Sequence, residues 1–293
     1  MSTTNKIAIV SIAKDIELSF LQDFKTVMKS FADFDIYRWI IVESNSADKS
    51  LDILNDYASK FDFIHIKSIS NNEVGKPRTS HLASARNECL NILKELNVFD
   101  EIDYLVVYDL NYLNKGVTRE SVKSCWQRDG WDAVTANQNG PYYDVFALRH
   151  RYWNNEDCWQ TYRHMHDLYP KNFRFIWDSA LWGTVYSKMI KIDKKSEWIR
   201  VDSAFGGIAI YKPDLIRDAR YIGLTEDGLE VCEHVSFNKT IQQKGGSIYI
   251  NPKFINFKLT DHSKRRKYFV YYNMKYYIVR GVQKLIDKVK SGK

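Results

Sequence analysis

The first 110 residues alternate short runs rich in apolar side chains with longer segments whose apolar positions recur every three or four residues. The short runs predict strands at residues 7–12, 39–42, 61–66 and 104–108. The helical spacing predicts helices at 17–31, around Leu51, Leu54 and Tyr57, and at 80–96. This alternation is typical of βαβ units, so we expect an α/β fold with a mainly parallel sheet covered by helices.

The helix predicted at 17–31 rests on apolar residues at helical spacing. They are Leu18, Leu21, Phe24, Val27, Met28 and Phe31. After about residue 130 the rhythm changes to longer polar and aromatic stretches, which favour a part of the chain that shapes a ligand site. Because there is no internal repeat or low-complexity linker, the halves 1–115 and 116–262 are expected to share one sheet.

The last 30 residues form a basic, aromatic segment that differs from the rest of the chain. Residues 264–293 sum to +9, so the other 263 residues sum to −2 within the chain's net charge of +7. On a helix, six apolar positions would form one stripe: Tyr271, Met274, Ile278, Val282, Leu285 and Val289. This pattern indicates a helical tail at 263–293 that either lies on an anionic membrane surface or packs its stripe on the main domain.

The composition is that of a packed globular protein, with 44% hydrophobic and 14% aromatic residues. Four cysteines without a C-x-x-C pair are expected to be reduced thiols, which favours a cytoplasmic setting. The sequence suggests neither a signal peptide nor a spanning helix, because no window holds 18 apolar residues. A nucleic-acid binder is disfavoured, since the excess of positive charge is confined to the tail, the rest of the chain is slightly acidic, and no recognition motif is present.

The predicted strand at 104–108 is followed directly by Asp109 and, two residues later, by Asn111. Ligands of α/β sheets bind beyond the carboxyl ends of the strands, and alternation along a strand would aim both oxygens the same way. We therefore expect the pair to hold a divalent cation or a ribose hydroxyl. Asp and Asn are also the commonest turn formers, so a plain polar turn remains the alternative.

The order of motifs resembles nucleotide-sugar glycosyltransferases of the GT-A fold, a Rossmann-like mixed sheet flanked by helices. In the first half, the run from Glu43 through Asp48 to Ser50 resembles the turn after the second strand of family 2 enzymes, with Glu in place of the leading Asp. Arg86-Asn87 and the run from Asp109 to Asn111 resemble the Arg-Asn pair and the D-x-D motif of the same family.

The second half is similar to the capsule-associated α-mannosyltransferases of fungi. Four segments carry that similarity in order and spacing: 142–149, 203–211, 232–234 and 250–252. The two resemblances together imply a catalytic domain at 1–262, with a nucleotide-sugar-binding half at 1–115 and an acceptor-binding half at 116–262.

For the donor, the resemblance implies that Ser11, Ala13 and Glu43 line the base and ribose and that Asp48 braces the turn. Asp48 is also a candidate helix N-cap. Arg86 is implied as a contact to phosphate or donor sugar, because a guanidinium offers forked donors to anionic oxygens, although a surface arginine on an amphipathic helix has the same spacing.

For the metal, the resemblance implies Mn²⁺ or Mg²⁺ bound by Asp109 and Asn111 and bridging the phosphates of a UDP- or GDP-sugar. Asn111 departs from the family pattern, since a carboxamide oxygen binds a divalent cation more weakly than a carboxylate does. His262 is implied as a third ligand and His234 as the runner-up, and either histidine is also compatible with an ordinary structural position.

For catalysis, Asp109, Asp144 and Glu233 are the candidates. Glu233 resembles the carboxylate that supplies the general base in inverting members. The mannosyltransferase similarity favours retention instead, where the leaving phosphate takes the proton and Glu233 orients substrate.

The function implied is a metal-dependent hexosyltransferase of surface polysaccharide or glycan synthesis. It would act on a saccharide or lipid-linked saccharide acceptor, peripherally on the inner face of a membrane. A noncatalytic sugar-binding descendant is one alternative. A sugar-nucleotide pyrophosphorylase is another, although residues 11–15 lack the Gly-rich phosphate loop that such an enzyme needs.

Overall fold

A single eight-stranded sheet forms the centre of the molecule, in a computed structural model that describes residues 4–70, 75–168, 174–257 and 261–290. The strand order is β3-β2-β1-β4-β7-β5-β8-β6. The strands are β1 (Lys6–Ala13), β2 (Asp35–Ser44), β3 (Ile64–Ile69), β4 (Tyr104–Tyr108), β5 (Ala133–Gln138), β6 (Ile199–Val201), β7 (Ile208–Tyr211) and β8 (Ile248–Phe257). Both sequence halves contribute strands, so the prediction of one shared sheet is confirmed.

Helices cover both faces of this sheet. The α-helices are α1 (Phe20–Ser30), α2 (Ser50–Lys60), α3 (Arg78–Glu95), α4 (Arg119–Lys123), α5 (Cys158–Leu168), α6 (Arg174–Thr184), α7 (Pro213–Ile216), α8 (Glu233–Gln243) and α9 (Asp261–Lys290). Three 3₁₀ turns lie at Val98–Asp100, Ser124–Trp126 and Tyr186–Lys188. No helix among the described residues is long and apolar enough to span a membrane.

The first four strands are parallel, and the sheet becomes mixed beyond them. β1 pairs in parallel with both β2 and β4, whereas β7 lies antiparallel between β4 and β5. β8 runs parallel to β5, and β6 runs antiparallel to β8 at the edge. The expectation of a mixed, mainly parallel sheet flanked by helices is confirmed.

Alternate residues of the central strands enter two different cores. Ile9 of β1 and Val106 of β4 pack with α1 on one face, whereas Val10 and Val107 pack with α3 on the other. Because both faces are covered, these strands are apolar throughout, which is why the sequence shows them so clearly.

One local prediction was displaced. The strand predicted at 61–66 begins only at Ile64, because Phe61 ends α2 with its N–H donating to the Tyr57 carbonyl and its ring packing on Phe24. The helix predicted at 17–31 is present as α1, and of its apolar residues Val27 and Phe31 are in the core whereas Leu18 is 86% exposed. Its buried side also includes Asp23, a carboxylate that apolar spacing does not reveal.

Candidate active site

The strand order reverses between β1 and β4, which are neighbours in the sheet. From β1 the chain adds β2 and β3 on one side, and then returns to add β4 on the other. In open α/β sheets this arrangement leaves a crevice beyond the carboxyl ends of the two strands. Beneath this position, between β1, β4 and α3, lies a small void with no room for a water molecule, which is lined by Val10, Ser11, Ile12, Arg86, Cys89, Val107 and Tyr221.

A buried guanidinium joins two of the predicted site carboxylates at this position. Arg86 of α3 is only 5% exposed, and its Nη2 donates to Asp109 Oδ1 at 2.7 Å. Its Nε donates to Glu233 Oε1 at 3.1 Å. Asp109 follows β4, and Glu233 is the first residue of α8, where the helix dipole favours a negative charge. Three distant segments therefore meet in one ion-pair cluster.

The cluster keeps Arg86 charged. Burial by itself lowers the pKa of Arg86, but the charges of Asp109 and Glu233 outweigh burial and hold that pKa above its ordinary value. The guanidinium lies 5.2 Å from the centre of the Phe205 ring and 5.8 Å from that of Tyr221. These rings fix the plane of the guanidinium and keep water away from it.

Asp144 lies beside this cluster and is held by backbone amides. Its Oδ2 accepts from Gly206 N at 2.8 Å and its Oδ1 from Ala147 N at 3.4 Å. Burial raises the pKa of Asp144 to about 6, and the nearby charges of Glu233 and Asp109 add to that rise. Asp144 therefore changes its charge in a range useful for acid-base chemistry.

Two consecutive glycines shape the wall of the site next to Asp109. Gly206 and Gly207 have φ angles of +75° and +97°, and Asp109 N donates to the Gly207 carbonyl at 2.9 Å. A Cβ built on Gly206 would lie 2.9 Å from the Ala136 carbonyl oxygen. The bend of the chain thus needs glycine both for its torsion and for space.

A chain of buried carboxamides holds this bend in place. Asn114 Nδ2 donates to the carbonyls of Asp109 and Gly207 at 2.7 and 2.9 Å. Asn256 Nδ2 donates to Asn114 Oδ1 and to the Gly206 carbonyl, both at 2.7 Å. The sequence analysis did not identify either asparagine. The signal that could have found one of them is a carboxamide inside an otherwise apolar strand, as at Asn256.

The structure corrects the geometry expected for Asn111. β4 ends at Tyr108, and both Asn111 and Tyr112 have positive φ angles, of +70° and +60°, so strand alternation does not extend to Asn111. Their N–H groups donate to Oδ2 of buried Asp23, at 2.8 and 3.2 Å. The motif is therefore a tight turn fastened to α1, with an exposed Asn111 side chain.

The residues expected around the base and ribose are largely engaged with the protein itself. Ser11 is buried, and its hydroxyl accepts from the Trp39 indole N–H at 3.1 Å. Ala13 is packed in the core. Glu43 Oε1 accepts from Ser46 N at 2.6 Å and its Oε2 from the Ser68 hydroxyl at 2.7 Å. The roles expected for Ser11 and Glu43 at a base or ribose therefore stay a prediction.

Asp48 braces the turn after β2. Its Oδ2 accepts from Glu17 N and its Oδ1 from Ser50 N, each at 3.0 Å. The hydrogen bond from the Ser50 hydroxyl is the main reason why the pKa of Asp48 lies below its ordinary value. The helix N-cap is Lys49 rather than Asp48. Asp48 thus links the loops that follow β1 and β2.

The histidines do not complete a metal site within the described residues. His234 stacks on Phe205 with ring centres 3.7 Å apart, and its Nε2 lies 3.5 Å from Glu233 Oε1 without hydrogen-bond geometry. Burial, with the charge of Arg86, keeps the pKa of His234 well below its ordinary value. The side chain of His262 lies outside the described residues.

The side chains of Asp109 and Asn111 are compatible with a divalent cation that phosphate oxygens also bind. In the part of the chain that the structure describes, no group of three His, Cys, Asp or Glu side chains is arranged to bind a metal. Asp109 has one carboxylate oxygen beyond the one that Arg86 uses, and Asn111 is exposed. Mg²⁺ is commonly held by one or two carboxylates, with substrate phosphates and waters as the other ligands.

Comparison with known proteins shows no matching family model and no matching curated protein. Solved structures with a similar course of chain include TarS 1-349 of S. aureus in complex with UDP-GlcNAc, at 12% identity and a TM-score of 0.48. They also include the mannosyltransferase PcManGT of Pyrobaculum calidifontis in complex with GDP-Man and Mn²⁺, at 11% identity and a TM-score of 0.43.

These matches cover 87% and 88% of this chain, but only 59% and 57% of the TarS and PcManGT chains. Glucosyl-3-phosphoglycerate synthase of Mycobacterium tuberculosis matches at 11% identity with a TM-score of 0.39. At such values the likeness says nothing about what this chain binds or does.

The four cysteines take no part in the site chemistry. All four are buried and free, as the sequence analysis expected. Burial raises the pKa of Cys89, which lines the void beneath the site, to about 12, so its thiol stays protonated at neutral pH. A cysteine nucleophile is therefore not part of this site.

Proposed function

We propose that this protein is a glycosyltransferase that moves a sugar from a nucleotide diphosphate donor to a saccharide acceptor. The observation that carries the proposal is the Arg86–Asp109–Glu233 cluster at the carboxyl ends of β1 and β4. This is the position where α/β sheets bind nucleotides. The motif order found in the sequence, from Glu43 to Glu233, supports the same reaction class.

The chemistry of glycosyl transfer suits this arrangement. Breaking the bond between sugar and diphosphate builds positive charge on the sugar and negative charge on the leaving group. Arg86 places a guanidinium beside Asp109, and two of its five N–H groups donate to Asp109 and Glu233. One guanidinium between two carboxylates leaves the cluster with a net charge of −1, so the positive charge that the leaving diphosphate needs would come from the cation. Asp109 Oδ2 and Asn111 would hold Mg²⁺ or Mn²⁺ together with the donor phosphates, and that cation would neutralise charge on the leaving diphosphate.

The two remaining carboxylates have different proposed roles. Glu233 is buried and its Oε1 accepts a hydrogen bond from Arg86 Nε, so its proposed role is to orient the site. This supports the retaining course, in which the leaving phosphate takes the acceptor proton. Asp144, with its pKa raised to about 6, is the better candidate to accept a hydrogen bond from a sugar hydroxyl and so to orient the sugar.

We also propose a cytoplasmic enzyme that works on a lipid-linked saccharide at the inner face of a membrane. The support is the tail: α9 carries most of a +9 segment, and its apolar stripe is exposed to solvent. The donor sugar would belong to a UDP- or GDP-linked hexose, as the sequence resemblance implies.

The proposal is tested by measuring turnover of a panel of UDP- and GDP-hexoses with and without Mn²⁺. Asp109→Ala is expected to abolish turnover while the fold is kept, because Asp109 lies at the carboxyl end of β4 and is partly exposed. Asp33→Ala removes a carboxylate that pairs with Arg119 on the surface and is the matched control. More than about a tenth of wild-type turnover in Asp109→Ala would overturn the assignment, since that loss corresponds to only about 1.4 kcal/mol.

A noncatalytic sugar-binding protein is the second candidate, and the observation that favours it is the neutral Asn111 in place of a carboxylate. It predicts a rise in melting temperature with a nucleotide sugar but no turnover of any donor in the panel. Turnover by the wild-type protein excludes it.

A further inference from the structure

The start of α9 is fastened to the body of the protein by two residues on one side of the helix. Arg266 Nε donates to the Tyr186 carbonyl at 3.0 Å, and its guanidinium lies 5.4 Å from the centre of the Trp182 ring. The ring of Phe269 lies 4.9 Å from that of Tyr186 and stacks on Trp182 at 6.4 Å. The orientation of α9 about its own axis is therefore fixed where the helix begins.

Beyond this attachment α9 is exposed on most sides, and its apolar stripe does not face the body. At 100° per residue, Arg266 and Phe269 lie roughly opposite Tyr271, Ile278 and Val282. The stripe consists of six residues that are 50 to 80% exposed, namely Tyr271, Met274, Ile278, Val282, Leu285 and Val289. Of the two alternatives left by the sequence, packing of this stripe on the main domain is thus not what the structure shows.

A second exposed segment lies next to the first turn of α9. Residues 188–195 contain four lysines, at 188, 191, 194 and 195, against one aspartate, and Ile190 among them is 46% exposed. Pro141 pairs with Lys191 in an isolated β-bridge, and the Ser263 hydroxyl donates to the Pro141 carbonyl at 3.4 Å. The segment is thereby adjacent to the basic run at 264–267.

We infer that α9 and residues 188–195 form one composite surface that binds an anionic lipid membrane, with α9 lying flat along it. The inference rests on the peripheral placement proposed above and is independent of the sugar chemistry. Apolar side chains would enter the headgroup boundary, and lysine and arginine side chains would reach the anionic headgroups. Tyrosine, which occurs five times between residues 268 and 277, favours that boundary because its ring is apolar and its tip polar.

The positive charge of the tail favours an anionic membrane over a second copy of this chain as the partner of this surface. Pairing two stripes would bring together two segments of +9 each, whereas an anionic surface attracts that charge. The stripe continues for about 27 Å from Tyr271 to Val289 at 1.5 Å per residue, which suits a flat surface better than a compact pocket.

The test is cosedimentation of the full-length protein with phosphatidylcholine vesicles that contain or lack phosphatidylglycerol, at low and at physiological salt. We expect binding only to the anionic vesicles, weakened by salt. Leu285→Glu is expected to weaken binding at least fivefold. Gln283→Glu adds the same charge on the polar side of α9 and is expected to have a much smaller effect.

Ile190→Glu tests the contribution of the body. We expect Ile190→Glu to weaken vesicle binding at least fivefold. Leu18→Glu is the control, because Leu18 is an exposed apolar residue just before α1, and it should leave vesicle binding nearly unchanged. Equal effects of Ile190→Glu and Leu18→Glu would overturn the composite surface. Failure of the wild-type protein to bind anionic vesicles at low salt would overturn the membrane inference altogether.

A dimer seen by sedimentation velocity that Leu285→Glu dissociates, without vesicle binding, would assign the stripe to a second copy and also overturn the inference. Melting temperature with and without a nucleotide sugar is measured on the same variants. An unchanged ligand response in Leu285→Glu separates failure of the membrane surface from failure of the proposed enzyme activity.

Discussion

Burying Arg86 with two carboxylates costs free energy, because charged groups are removed from water. Well-packed apolar residues would stabilise such a place as well or better. Removing only Arg86 would leave Asp109 and Glu233 without a counter-charge, at a cost of about 3–5 kcal/mol for a buried pair. The cluster therefore favours a role in binding and chemistry, and Arg86 is the residue on which the proposed function most depends.

Asp144 gives a pH-dependent prediction at the residue scale. Its pKa is raised to about 6 in the folded state, against about 3.9 in an unfolded chain. Because the pKa of Asp144 is higher in the folded state, protonation of its carboxyl stabilises the folded state. This stabilisation is complete below the pKa in the unfolded chain, and it is lost as the pH rises through the pKa in the folded state. Asp144→Asn has no carboxyl group to ionise, so it avoids this loss of stability. The melting temperature of Asp144→Asn minus that of wild type should therefore increase from pH 4.5 to pH 7.5.

Differential scanning fluorimetry across that range measures the effect. Asp33→Asn is the control, because the hydrogen bond from Arg119 lowers rather than raises the pKa of Asp33. A difference between Asp144→Asn and wild type that does not change with pH would contradict the raised pKa.

Asn111 gives a second residue-scale prediction. If its side chain is a metal ligand, Asn111→Asp replaces a dipole with a charge beside a divalent cation and strengthens Mn²⁺ binding in the presence of donor. Titration of Mn²⁺ into both proteins measures this. Equal affinities would mean that Asn111 serves only the turn that Asp23 holds.

The sequence identified the charged members of the site but not the bonds among them. Asp109, Arg86 and Glu233 were found as candidates, and the structure brings them together. The carboxamides Asn114 and Asn256 were missed because they act across 142 positions of sequence, which no local pattern reports. Ser11 was expected to line the base and ribose, but its hydroxyl instead bonds to Trp39.

At the scale of elements, the bend before β7 carries the third prediction. Gly206→Ala would place a Cβ 2.9 Å from the backbone oxygen of Ala136 and would also strain a residue with a positive φ. Gly228 has a φ of +81°, and a Cβ added there would meet nothing within 4 Å, so Gly228→Ala reports the torsion alone. In urea unfolding, Gly228→Ala should lower the free energy of unfolding by roughly 1 kcal/mol through its torsion alone. Gly206→Ala should lower it by more than that, because its Cβ would also meet the Ala136 oxygen. Similar losses in the two variants would show that the bend is not crowded.

Elements with apolar faces on both sides were the easiest to predict. The strand expected at 104–108 matches β4, and the helix expected at 80–96 matches α3 within two residues at its start. The strand near Phe61 was displaced because its aromatic residues serve the α2 packing cluster rather than the sheet. The helix expected at 17–31 is present as α1, and its buried side includes Asp23, which apolar spacing does not reveal.

At the scale of the whole molecule, the parallel half of the sheet was predictable and the antiparallel half was not. Alternation of strands and helices indicates parallel neighbours, whereas β7 follows the edge strand β6 with no helix between them and enters between β4 and β5. That insertion brings Gly207 beside Asp109 and so completes one wall of the site. The tail was predicted as a basic helix, and the structure adds that its apolar stripe faces outward.

The most direct test of the central claim is the affinity of a nucleotide diphosphate sugar for wild type and Arg86→Lys, measured by isothermal titration calorimetry. Lysine keeps the charge between Asp109 and Glu233 but cannot reproduce the forked donors of arginine. We predict at least a tenfold loss of affinity in Arg86→Lys, which is about 1.4 kcal/mol, and none in Arg119→Lys, whose partner Asp33 lies on the surface. A folded Arg86→Lys protein that binds the donor as tightly as wild type would contradict the account.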